Sequence, residues 1–178
     1  MTAVPWVIGT SPAVPVAAGL GADLDEVPSV VLDQAWSEGL RIEEWRATAM
    51  VGPAVERVVV AVWLDGPTQT PVVDLGPGTW MASMETQFAL WFAALTAGAE
   101  RCADRGQVVA VVDRPDPKDA AGWSAVSAMA DAVENLTRSL AQIHQPRGAR
   151  VNLVTTSARL EGKEAGGLDD VIGAVAML

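Results

Sequence analysis

Cysteine is nearly missing: Cys102 is the only one in 178 residues. A single thiol closes no internal disulfide and builds no thiolate zinc site. This fits a reducing compartment and excludes disulfide-stapled and zinc-cluster architectures. Basic residues are also scarce, 12 against 22 acids for a formal charge of −10, and only Lys118 and Lys163 are lysines. So acidic a chain is a poor match for a nucleic-acid backbone, whose readers carry basic stripes. Charge is absent altogether from Met1 to Ala22. That stretch lacks the basic start of a secretory leader, and Pro5, Pro12 and Pro15 interrupt any helix approaching the roughly 20 residues that a membrane span needs. Phe88 to Ala99 is likewise uncharged but too short to cross. The expectation is a cytoplasmic protein with no membrane anchor and no nucleic-acid partner.

Apolar residues make up 50% of the chain and charged ones 19%, enough interior for one ordinary domain over residues 1–178. No repeat, low-complexity tract or dividing linker interrupts it. Short β-branched runs alternate with longer helical patterns, which indicates βαβ units and an α/β fold. Strands are expected at Trp6 to Ile8, Ser29 to Leu32, Arg57 to Val62, Gln107 to Val112 and Arg150 to Val154. These runs show no polar alternation, as in parallel strands covered on both faces. Helices are expected near Val16 to Leu20, Ile42 to Ala49, Trp80 to Asp104, Trp123 to Ile143 and Asp169 to Met177. Gly106 would stop the third, and Gln145, Pro146 and Gly148 the fourth. The result is a doubly wound, Rossmann-like parallel sheet.

Within the third helix, Phe88 through Leu95 are consecutively apolar, so side chains of this kind point around the whole circumference. A sheet covers one side only. The other side needs a subunit partner, with Phe88, Trp91, Phe92 and Leu95 as contact residues, or else cover from neighbouring helices and loops.

From Val133 the chain reads VENLTRSLAQIHQPRGARVNLV. This resembles the short-chain dehydrogenase/reductase family, in which a helix bearing the catalytic Tyr-x-x-x-Lys continues through Leu-Thr-Arg-Ser-Leu-Ala to a Pro-Arg-Gly-x-Arg-Val-Asn strand. Upstream, PVVDLGPGTWMASMETQF is similar to the family's approach to its fourth helix, with Trp80 in the place of a common tryptophan. LDDVIGAVAML, at residues 168–178, resembles the segment before the family's last strand. The resemblance covers roughly Val58 to Leu178, more weakly before that. It implies a nucleotide-binding fold trimmed to about five strands in the order 2-1-3-4-5, because the stretch before Val58 is too short for two complete crossovers.

The family's chemistry is not implied along with its fold. Its tyrosine exchanges a proton with the substrate while a lysine one turn later depresses the tyrosine's pKa. Those positions here are Val126 and Ala130, and the chain contains no tyrosine at all. The family's serine falls on Asp113, where a carboxylate would oppose a developing oxyanion, and its helix asparagine falls on Gln87. In the glycine-rich turn Gly9 remains, but Ala13 and Pro15 stand where glycines let the backbone meet a pyrophosphate. The Asn-Asn-Ala-Gly after the fourth strand becomes Trp63, Leu64, Asp65 and Gly66, and the Pro-Gly after the sixth becomes Thr156 and Ser157. No cofactor, catalytic residue or metal is therefore expected.

The first functional expectation is a non-catalytic subunit, a pseudoenzyme that pairs through its two long helices with an active short-chain dehydrogenase paralogue. The resemblance extends to subunits of hydroxyacyl-CoA-type pathways. Self-association through the same helices is the variant of this reading. A second is an enzyme with a rebuilt acidic site on the loop Asp113, Arg114, Pro115, Asp116, Pro117, Lys118 and Asp119, whose carboxylates could exchange protons or hold a metal. A charged, proline-rich loop is more often simply solvated, and the lone His144 at a helix end suits a dipole contact better than catalysis. A third is a homodimer that holds an apolar ligand between Val126, Ala130 and Trp63, an idea that fails if these residues fill the pocket themselves.

Overall fold

A computed structural model describes residues 4–28, 38–160 and 164–178. Five parallel strands are present: β1 (Trp6–Gly9), β2 (Leu24–Glu26), β3 (Val55–Ala61), β4 (Cys102–Asp113) and β5 (Arg150–Thr156). They lie in the order β2-β1-β3-β4-β5, as the sequence predicts. The helices are α1 (Val14–Gly19), α2 (Gly39–Ala49), α3 (Pro77–Arg101), α4 (Ser124–His144) and α5 (Glu164–Met177).

The valine runs build two cores at once, because successive residues of a strand face opposite sides of the sheet. Val58, Val60, Val108 and Ala110 face the side of α2, α3 and α4, against Trp91, Leu95, Met129 and Val133. Val7, Val59, Val109 and Val111 face the side of α1 and α5, against Val16, Val171 and Val175. Both central strands are thus buried on both faces, which explains their lack of polar alternation.

Two expectations need correction, and one falls outside the described residues. The second strand is Leu24–Glu26, whereas the expected Ser29 to Leu32 lies outside the described residues. A three-residue edge strand reading Leu-Asp-Glu has no apolar run to betray it. Its acids suit an exposed edge, and Asp25 accepts a hydrogen bond from Trp6 Nε1 at 3.0 Å. The third helix ends at Arg101, not Asp104. Cys102 already pairs with Val55 in the sheet, and the register then jumps to Arg57 opposite Gln107. Gly106 belongs to this irregular strand entry, where an added Cβ would stand 2.8 Å from the Ala103 carbonyl oxygen and 2.9 Å from that of Glu56. It shapes the strand start and does not stop the helix.

The last correction concerns the apolar helix. Trp91 and Leu95 are 1% and 0% exposed, packed into the core on the sheet's α3 side, so they form core and not surface. Leu90, Ala93 and Ala94 are also covered by the chain's own elements. Only Phe88 and Phe92 of the expected contact set reach the surface, at 40% and 42% exposure. Arg46 of α2 leans over the Phe92 ring at 6.0 Å. No helix among the described residues is long and apolar enough to cross a membrane.

Candidate functional site

In an open parallel sheet the crevice for a ligand lies beyond the carboxyl ends of the strands, where the strand order switches direction, here between β1 and β3. That crevice is bridged by the protein itself. Thr10, just past β1, donates from Oγ1 to the Trp63 carbonyl at 2.6 Å and accepts from the Trp63 backbone N–H at 2.8 Å. The indole of Trp63 is turned inward, 4% exposed, and its Nε1 donates to the Val111 carbonyl at 2.9 Å.

Next to it, Asp113 ends β4 and meets a residue that sequence reading did not single out. Arg159 Nη1 donates to Asp113 Oδ2 at 2.6 Å, with the two side chains 6% and 11% exposed. Nη2 of the same guanidinium donates to the Leu64 carbonyl at 2.6 Å, and its Cζ lies 4.7 Å from the Trp63 ring centroid. The turn after β5 delivers Arg159 to this place: Ala158 N donates to Thr156 Oγ1 at 3.2 Å and Leu160 N to the Ser157 carbonyl at 2.9 Å. Burial pushes the Asp113 carboxyl up to about 6, against the opposing pull of the Arg159 guanidinium. Asp113 Oδ1 is buried without a hydrogen-bond partner.

Three of the four positions aligned with the family's catalytic residues do come together. Asp113, Gln87 and Val126 line one cavity with Trp63, Trp91 and Met129, and its volume is about 30 Å³. That is room for about one water molecule. The fourth, Ala130, lies in the core at 0% exposure. Bulky side chains therefore occupy the space in which the third expectation placed an apolar ligand.

The acidic loop does not converge either. Asp113 points inward to Arg159, while Arg114 turns to α4 and contacts Glu134 and Asp131 at 2.9 Å each. Asp116 caps a short turn by accepting from the Lys118 backbone N–H at 3.1 Å. Among the described residues no three histidines, cysteines or acids are grouped to hold a metal ion. His144 is buried beside Arg147 at the end of α4, 3.3 Å from its Nη1, just ahead of the start of β5.

The groups around the crevice do not fit a nicotinamide dinucleotide. Gly9 serves strand packing, since a Cβ there would stand 2.3 Å from the Ala61 carbonyl oxygen. Pro12 and Pro15 occupy the first turns of the two short helical segments that follow, removing two of the N–H groups a pyrophosphate needs. A hollow of about 140 Å³ lies between Thr10, Ser11, Glu26, Leu64, Thr86 and Gln87. Glu26 ends β2 and accepts a hydrogen bond from Ser11 Oγ. An acid at that place is one that a spacing of about twenty residues after the first strand would have revealed. Arg159 left no such signal, because its partner is 46 residues away.

No family model matches the chain, and no curated protein sequence matches it. Solved structures do. A small-chain dehydrogenase superposes with a TM-score of 0.64 at 16% identity, over 98% of this chain and 90% of that one. The protein lin1944 from Listeria innocua gives 0.65 at 13% identity, over 96% and 91%. A short-chain dehydrogenase/reductase of the glucose/ribitol dehydrogenase type from Brucella melitensis gives 0.63 at 14% identity, over 98% and 88%. With its five-stranded order and its helices on both faces, the chain has the fold of the short-chain dehydrogenases/reductases.

Proposed function

We propose that this protein is a non-catalytic member of the short-chain dehydrogenase/reductase fold that pairs with an active paralogue to stabilise or regulate it. The observation that carries the reading is the buried Arg159–Asp113 pair stacked on Trp63 at the carboxyl end of β4, the place that the family resemblance assigns to a catalytic serine. Two further facts support it. The positions that the resemblance aligns with the family's proton-exchanging pair are Val126 and Ala130, and the sequence contains no tyrosine. Phe88 and Phe92 are exposed on α3, as is Met81 nearer its start, which leaves apolar surface on this helix for a partner.

The test is to purify the chain alone and together with an intact short-chain dehydrogenase encoded beside it, and to measure mass in solution and NAD or NADP uptake by calorimetry. A stable complex, with dinucleotide bound only by the intact subunit, is expected. A monodisperse monomer indifferent to every such dehydrogenase, or tight dinucleotide binding by the isolated chain, overturns the proposal.

A further inference from the structure

The groups that hold the Arg159 guanidinium make up a recognition site in their own right. A carboxylate accepts one edge of the fork at 2.6 Å, a backbone carbonyl accepts the other at 2.6 Å, and an indole face lies 4.7 Å below the central carbon. This combination of in-plane acceptors and an aromatic face suits a planar guanidinium far better than a compact ammonium. The receiving groups are also held in place without Arg159. Trp63 is tied to Val111 and to Thr10, and Asp113 is fixed at the end of β4 by its pairing opposite Thr156. The Asp113 side chain is only 11% exposed, yet its Oδ1 has no hydrogen-bond partner, so the carboxylate retains acceptor capacity.

The occupant sits on a turn beyond the end of β5, and although its side chain is only 6% exposed it forms part of a cleft wall. Arg159 lines a wide cleft of about 470 Å³ with Ser11, Pro12, Pro15, Asp65 and Leu168. Pyrrolidine rings and Leu168 offer an apolar wall for an alkyl stem, and Asp65 and Ser11 offer polar contacts for its far end.

We propose that Trp63, Asp113 and the Leu64 carbonyl form a guanidinium-binding site that Arg159 occupies in cis, and that a small monosubstituted guanidinium compound entering from the cleft takes the same contacts when Arg159 is withdrawn. This does not depend on the pairing proposed above: a chain that binds no dehydrogenase still carries the site.

The test uses Arg159→Ala in the full chain, with methylguanidinium chloride at millimolar concentration as the probe and methylammonium chloride as the control. The variant is expected to melt roughly 10 °C below the wild type. Methylguanidinium should raise that midpoint and shift the Trp63 indole N–H resonance saturably, methylammonium should do neither, and the wild type should respond to neither. No saturable response in Arg159→Ala, or an equal response in Arg159→Ala/Asp113→Asn, overturns the proposal. If Arg159→Ala does not fold, Arg159→Gln retains bulk and takes the same titration. In the wild type, the Arg159 Nη protons should resonate as separate, slowly exchanging signals, and a single averaged signal would also count against the site.

Discussion

Arg159 and Asp113 are 46 residues apart in the chain, yet they form a 2.6 Å ion pair with hardly any solvent contact, at the carboxyl end of β4. Two charges taken out of water together are tolerated only because each keeps its hydrogen-bonding partner. The guanidinium meets this condition with the Leu64 carbonyl and the Trp63 face, and the carboxylate meets it on one oxygen only.

Breaking the pair on one side should therefore cost more than removing it altogether. Arg159→Met leaves a buried carboxylate alone and should lower stability by about 3–5 kcal/mol in urea unfolding, whereas Arg159→Met/Asp113→Leu should recover most of that loss. Additive losses in the double variant would show that the two residues are not coupled.

The same carboxyl sets a pH dependence. Asp113 has an ordinary value of 3.8 and a folded value of about 6, so the folded state holds its proton more tightly than the unfolded chain. The stability this confers is fully present below pH 3.8 and is lost as pH rises through about 6. Asp113→Asn cannot titrate. The stability of the wild type minus that of this variant should fall across that window, and a difference that rises instead would mean that the attraction of Arg159 outweighs burial.

At the β1/β3 switch point, Thr10→Val preserves shape but removes both hydrogen bonds to Trp63, leaving its backbone N–H without that acceptor. A loss of about 1–3 kcal/mol is expected, with faster hydrogen exchange at the Trp63 amide and substantial recovery in Thr10→Ser. Unchanged exchange would mean the crevice is closed by packing alone.

The apolar helix offers a contrast between neighbours. Trp91→Ala empties a core position and should cost about 3–5 kcal/mol. Phe88→Glu/Phe92→Glu changes surface positions and should cost less than about 1 kcal/mol in the isolated chain. The double variant should nevertheless abolish association with a dehydrogenase partner, as read by light scattering. Retained association would move the interface elsewhere.

Much of the architecture is legible in the amino-acid sequence. Val58–Val60 and Val108–Val111 announced central parallel strands, because only a strand covered on both faces can be apolar at every position. Gln145, Pro146 and Gly148 ended α4 as expected: the first two enter a short 3₁₀ turn and Gly148 takes the left-handed φ of 69°. Gln87, Asp113 and Val126, which the resemblance aligns with the family's catalytic positions, line one cavity. Leu24–Glu26 escaped because three residues at an edge carry no periodic signal, and α3 ended early because the sheet claimed Cys102.

Residue type along the chain is enough to give the two-sided burial of the sheet and the absence of a proton-exchanging tyrosine, whereas the strand order followed from the resemblance to the short-chain dehydrogenases/reductases and the short stretch before Val58. Which faces of α3 are covered, which cation meets Asp113 and how Thr10 closes the crevice onto Trp63 became fixed when distant elements packed together. Burial and ion pairing are properties of groups brought together across tens of residues, and no local pattern records which distant side chain will arrive.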